Sequence, residues 1–152
     1  MNVQQKLADM GLEVPEVAAP VAAYIPGVRT GNLFFTSGQL PTVGGELKYT
    51  GHVGSEVSPE DAYQAARIAC LNCLGVIRAE VGDLSRVRRV VKVTGFVSSD
   101  PDFTEQPQVV NGASELLLEL FGDKGKHARA AVGMANLPLG APVEVEMIVE
   151  VE

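Results

Sequence analysis

The chain predicts an α+β fold in which two helices cover one face of a mixed sheet, with elements in the order β-β-α-β-α-β-β. Two amphipathic stretches, each ending at a glycine, flank a run rich in β-branched residues. Glycine-centred turn signals precede them, and the ten C-terminal residues alternate strictly between apolar and polar apart from Ile148. At 152 residues, 46% hydrophobic and 20% charged, the chain is sized for one domain with a substantial core.

Val3, Leu7 and Met10 have helical spacing, Gly11 can end the helix, and Pro15 and Pro20 prevent its continuation. Residues 2–10 therefore read as a short accessory helix packed outside the core, within an N-terminal extension over 1–18 that precedes a main domain over 19–152. Gly31-Asn32 separates two strands of a hairpin, residues 24–29 and 33–37, and Gly44-Gly45 marks the next turn. Ser58-Pro59-Glu60-Asp61 is a helix start: a serine cap, proline at the first position, and acids that meet the dipole. Ala62, Ala65, Ala66, Ala69, Cys73, Val76 and Ile77 then form one apolar stripe that Gly82 closes. Val87 to Ser99 reads as a long strand. Asp100-Pro101-Asp102 turns the chain into a second helix, with Val109, Ala113, Leu116, Leu117, Leu120 and Phe121 inward and Gly122 as its end.

Two strands finish the chain. On the last, Val143, Val145, Met147, Val149 and Val151 belong under the helices, and Glu144, Glu146, Ile148, Glu150 and Glu152 point away. The strand before it, Ala128–Ala135, has small or apolar residues on both sides, a pattern that predicts burial on both faces in an oligomer. Within that strand Arg129 is the lone charge. A largely buried guanidinium needs an anionic partner, and a carboxylate suits it bidentately; the partner can be a ligand. Glu144 follows fifteen positions later. Were the last two strands a simple hairpin, Glu144 would face Met134, about five residues or ~17 Å from Arg129. Joint use of the two side chains then requires that the strands not be neighbours, or that the residues meet across a subunit boundary.

The net charge of −7 opposes non-specific affinity for phosphate backbones. The N-terminus lacks a long apolar core behind a basic flank, and no apolar run approaches membrane-spanning length. A cytoplasmic protein without membrane or nucleic-acid partners is expected.

Several segments, in order, resemble the RidA (YjgF/YER057c/UK114) family, whose name is often given as reactive intermediate deaminase. They are Ala19-Pro20 with Tyr24, Thr36-Ser37-Gly38-Gln39-Leu40-Pro41, Asp102-Phe103 with Asn111, Ala128-Arg129, Leu137-Pro138 and Val143-Glu144-Val145-Glu146. The resemblance implies a chorismate-mutase-like fold assembled as a homotrimer with clefts between subunits. It implies that Arg129 clamps the carboxylate of a small 2-imino or enamino acid, that backbone at Gly38 helps hold it, and that Tyr24, Ser37 and Asn111 line the pocket. Glu144 would orient the water that attacks the imine carbon, giving a 2-keto acid and ammonia without metal or cofactor. Arg129 nearby would favour the ionised Glu144.

The chain also departs from the family pattern, in which Pro-Ala-Arg-Ser-Cys is common. His127 stands at the proline position, Ala130 at the serine and Ala131 at the cysteine. Only the backbone amide at Ala131 would remain for binding, which predicts weakened or shifted activity. His127 and His52 read as surface histidines, and Gly51 with Gly54 suggests a mobile loop. Cys70 and Cys73 lie mid-helix, away from the dipole that activates thiols, and read as structural. Arg86, Arg88, Arg89 and Lys92 read as charges guarding an exposed edge. Three function classes follow: an imine deaminase, a non-catalytic trimer binding small carboxylates or serving regulation, and an endoribonuclease, a name attached to relatives that the acidic chain and scarce aromatic residues oppose.

Overall fold

A computed structural model of the chain describes residues 1–17 and 23–152. Ala19, Pro20 and the expected boundary between extension and domain lie outside the described residues. The elements are helix α1 (Val3–Asp9), strands β1 (Gly27–Thr30), β2 (Leu33–Thr36), β3 (Thr42–Val43) and β4 (Glu46–Leu47), helix α2 (Pro59–Val81), strand β5 (Val87–Ser98), helix α3 (Gln106–Phe121), and strands β6 (Ala128–Met134) and β7 (Val143–Val151). Five strands form one sheet in the order β1-β2-β7-β5-β6, with β5 and β6 parallel and the other pairs antiparallel. The small β3-β4 hairpin stands apart and turns at Gly44-Gly45, both at positive φ. Gly31, also at positive φ, opens the tight loop between β1 and β2, a conformation that favours glycine.

The helices lie on one face of this mixed sheet, as expected. Val143, Val145, Met147, Val149 and Val151 are no more than 2% exposed beneath them. Ser58 caps α2 through its hydroxyl, which accepts from the Asp61 amide at 3.1 Å, and Gly82 ends the helix at φ +85°. The second helix starts later than Asp102: residues 99–105 form a turn, with the Phe103 amide donating to the Asp100 carbonyl at 3.0 Å. Close packing of the helices rests on glycine, because a Cβ at Gly112 would sit 2.1 Å from the Tyr63 carbonyl oxygen of α2.

Three local expectations need correction. The accessory helix joins the core: Val3 and Leu7 are buried against α3, and the Lys6 ammonium donates to the Leu120 carbonyl at 3.4 Å. The arm behind it crosses α2 where Gly75 leaves no room for a Cβ beside the Pro15 carbonyl, and Arg78 donates to the Val14 carbonyl at 2.9 Å. The basic cluster borders an unpaired strand side only up to Arg89, since β6 pairs with β5 from Lys92 onward; Arg86 lies 3.9 Å from a Glu152 carboxylate oxygen. The loop with Gly51 and Gly54 is tied down, with the Val53 amide donating to the Ser98 carbonyl at 2.8 Å and the Gly51 amide to the Gly140 carbonyl at 2.8 Å.

The last two strands are not a hairpin, because β5 separates them. In one protomer β6 is therefore an edge strand rather than one buried on both sides. Its helix-facing residues Arg129 and Ala131 are half-buried, whereas Val132 and Met134 on the opposite face are 40% and 38% exposed. Among the described residues, no helix is long and apolar enough to cross a membrane.

Candidate functional site

The register assigns Arg129 and Glu144 to opposite faces of the sheet. Arg129 pairs with the buried Val93 and reaches α3, where its Nη1 donates to Asn111 Oδ1 at 2.8 Å and to Ser114 Oγ at 3.2 Å. Glu144 is level with Phe96 on β5, which is level with Val132 on β6. Three residues along and two strands across put the Cα atoms roughly 14 Å apart, with the side chains on opposite sides.

The expected site residues accordingly fall into two groups. One lies at the β6 edge: Arg129, with Asn111 bonded to it and Ala131 two residues on, beside Gly95. Among the described residues Arg129 makes no ion pair, and its two hydrogen bonds to neutral groups both use Nη1. A half-buried guanidinium thus keeps Nε and Nη2 for another acceptor.

The other group lies where β2 runs past its end along β7. The Gln39 amide donates to the Val145 carbonyl at 2.8 Å, and the Val145 amide returns a bond to the Gln39 carbonyl at 3.0 Å. This pairing lays Gly38 against Glu144, so closely that a Cβ at Gly38 would be 2.8 Å from Glu144 Cδ. Ser37 fastens the segment before β1: its hydroxyl donates to the Ile25 carbonyl at 2.7 Å and its amide to the Pro26 carbonyl at 2.6 Å. Tyr24, next to Ile25, is 65% exposed.

The electrostatics of Glu144 differ from the sequence expectation. Partial burial, and then the Glu146 carboxylate on the same face, push its pKa up, while Arg129 of the same chain lies across the sheet. A carboxylate raised toward neutrality is a stronger base than an ordinary one.

Two residues of the arginine group were not legible as site residues in sequence. Ser114 is one turn beyond Asn111 on α3, and the polar pair at i and i+3 within an apolar helix face is the signal that marks it. His127, expected at the surface, is half-buried: its Nε2 lies 2.9 Å from Ser114 Oγ and its Nδ1 2.6 Å from the Gly125 carbonyl oxygen. His52 is partly exposed, with Nδ1 3.0 Å from Glu56 Oε1 and Nε2 2.7 Å from the Ala135 carbonyl oxygen. The cysteines are structural. Cys73 lies 3.3 Å from the Val145 carbonyl oxygen and Cys70 3.8 Å from that of Ala113, and burial pushes the Cys73 thiol up to about 12. No group of three or more metal-ligating side chains occurs among the described residues.

Known proteins share this arrangement of the chain. Protein TCP17 of Trypanosoma cruzi is 45% identical over 152 residues, covering 98% of this chain and 94% of that protein. The 2-iminobutanoate/2-iminopropanoate deaminase of Escherichia coli (strain K12) is 32% identical over 133 residues, covering 86% of this chain and 88% of the enzyme. Among solved structures, the protein Atu1372 with unknown function from Agrobacterium tumefaciens superposes with a TM-score of 0.93 at 44% identity, covering 99% of this chain and 93% of the other. A family profile described as "YjgF/chorismate_mutase-like, putative endoribonuclease" matches residues 4–151. With that match over nearly its whole length and a mixed sheet carrying its helices on one face, the chain belongs to the RidA, or YjgF/chorismate mutase-like, family.

Proposed function

We propose that the protein hydrolyses small 2-imino or enamino acids to 2-keto acids and ammonia, in clefts completed by a neighbouring copy of the same chain. The observation that carries this reading is the Arg129 guanidinium, half-buried, held by Asn111 and Ser114, and without an ion pair among the described residues. Such a group takes a carboxylate bidentately. Water adds to the imine carbon, a proton passes to the nitrogen, the C–N bond breaks, and ammonia leaves a ketone behind. Glu144 orients that water and accepts its proton, a role its raised pKa suits.

Because one protomer separates the two groups, the reading requires the edge of one copy to face the Gly38–Glu144 corner of another. Apolar residues exposed on the uncovered face, Phe35, Val132 and Met134, support such an assembly, and a trimer is the family's expected one. The name of the Escherichia coli relative supports the substrate class.

The test generates 2-iminopropanoate in situ and follows its loss, with sedimentation reporting the assembly. Wild type accelerates hydrolysis and Arg129→Ala does not. Absence of acceleration by wild type, with tight binding of 2-keto acids, would instead favour a carboxylate-binding module. A monomeric active protein would remove the intersubunit cleft.

A further inference from the structure

His127 and Ser114 lie behind the clamp, and the hydrogen-bond directions between them are fixed by chemistry. The Gly125 carbonyl can only accept, so His127 Nδ1, 2.6 Å away, carries the proton. Its Nε2 is then the acceptor of the neutral ring, and the Ser114 hydroxyl 2.9 Å away donates to it. Having spent its proton there, Ser114 Oγ accepts from Arg129 Nη1 at 3.2 Å. Asn111 Oδ1, which can only accept, takes a second proton of the same nitrogen at 2.8 Å. Two acceptors on one nitrogen restrict rotation of the guanidinium and leave Nε and Nη2 for another acceptor. Bonds polarised in one direction along a part-buried chain reinforce one another.

We propose that Ser114 and His127 are the positioning residues of Arg129: together they hold its guanidinium in the orientation that receives a substrate carboxylate. The proposal rests on the clamp reading of Arg129 above. Ser114 is 8% exposed, so its hydroxyl meets the protein rather than solvent.

The arrangement makes the clamp sensitive to protonation of one ring. Once protonated, Nε2 becomes a donor, and Ser114 Oγ is then shared by two cationic donors. Of the charged groups near His127, Arg129 from β6 opposes that state; the adjacent Lys126 is paired with Asp123 at 3.1 Å, and Arg89 from β5 donates to the Lys126 carbonyl at 3.3 Å. The α3 carboxylates are turned toward α2, Glu115 accepting from the Tyr63 hydroxyl at 2.6 Å and Glu119 lying 3.8 Å from Arg67. Burial, with a smaller effect of Arg129, also holds the ring below its ordinary pKa.

The experiment titrates pyruvate, a 2-keto acid, into wild type, Ser114→Ala, His127→Ala, the double variant, Ser114→Thr and Arg129→Ala, with melting temperatures confirming that each is folded. Each single alanine variant is expected to weaken pyruvate binding roughly five- to tenfold, Ser114→Ala by removing the bond to Arg129 and His127→Ala by removing the acceptor that orients the Ser114 hydroxyl. The double variant should lose no more than about twofold beyond the weaker single, because both act through one chain. Ser114→Thr, which keeps the hydroxyl, should bind within about twofold of wild type, and Ser114→Ala should add nothing in an Arg129→Ala background. On acidification below the ordinary imidazole range, wild type should lose more affinity than His127→Ala. Single variants that bind as wild type, losses that multiply, or a loss that persists without Arg129 would overturn the assignment. Nitrogen NMR of the free protein separates this from failure of the clamp: the Arg129 Nη resonances should be distinct in wild type and averaged in both alanine variants. If those resonances respond but pyruvate does not bind wild type, the clamp reading fails and the positioning stands; averaged resonances in wild type sink the positioning itself.

Discussion

Replacing Gly38 by alanine tests the placement of Glu144 through one methyl group. That methyl would lie 2.8 Å from Glu144 Cδ and 3.1 Å from its Cγ and Oε1. Ordinary carbon contacts begin near ~3.5 Å, so the carboxylate must withdraw by about 0.7 Å. Misplacing a catalytic group by that distance costs on the order of 10- to 100-fold in turnover. Stability should change much less, because the obstacle is the end of a partly exposed side chain. Gly38 is also not among the glycines at positive φ, so alanine meets no backbone penalty and restricts the unfolded chain by about 0.4–1 kcal/mol. The melting temperature should stay within roughly 4 °C of wild type. The assay is hydrolysis of 2-iminopropanoate generated in situ, paired with a thermal melt and repeated in a Glu144→Ala background, where the methyl finds space. Wild-type turnover in Gly38→Ala would refute the reasoning, as would an equal stability change with and without the Glu144 side chain.

Three further outcomes follow from particular contacts. Glu144→Gln should raise the melting temperature by about 1–3 °C at pH 7, discounted for the solvent that still reaches the carboxylate, while abolishing turnover. Its folded pKa lies above the ordinary 4.5, so the stability linked to its proton is fully present below 4.5 and lost as pH rises through the raised value. The advantage of glutamine should therefore vanish in melts near pH 4. Gly112→Ala should destabilise by roughly 3 kcal/mol or more, since its methyl would meet the Tyr63 carbonyl oxygen at 2.1 Å and backbone cannot swing aside; a chemical-denaturation midpoint near wild type would contradict the packing of α2 on α3. Cys70 and Cys73 should resist a thiol reagent at pH 8 in the native protein and react stoichiometrically in denaturant, because both are fully buried and Cys73 is pushed up to about 12. Rapid native labelling of either would show that the core opens.

What could be read from the sequence depended on interactions between near neighbours in the chain. Ser58-Pro59 with its acids marks a helix start because the orphan amides of the first turn are satisfied within three residues. Strict alternation from Val143 marks the strand and its buried face, because successive side chains of a strand point oppositely. Arg129 stood out because a charge in an apolar strand needs a partner. Neither the identity of that partner nor the direction of the guanidinium was available from spacing. Asn111 and Ser114 reach it from a helix fifteen to eighteen residues away, and His127 is held inward between the Gly125 carbonyl and the Ser114 hydroxyl of α3.

Strand order was the other decision left to the tertiary structure. A local rule joins consecutive antiparallel strands as a hairpin, but here β5 is inserted between β6 and β7, making β5 and β6 parallel. That insertion puts Arg129 on an open edge, while the register keeps it on the face opposite Glu144. The sequence by itself determined the elements, their buried faces and the presence of a charge in search of an anion. Only long-range pairing decided that Arg129 stands on a free edge, because nothing within a few residues of it encodes which strand comes to lie between β6 and β7.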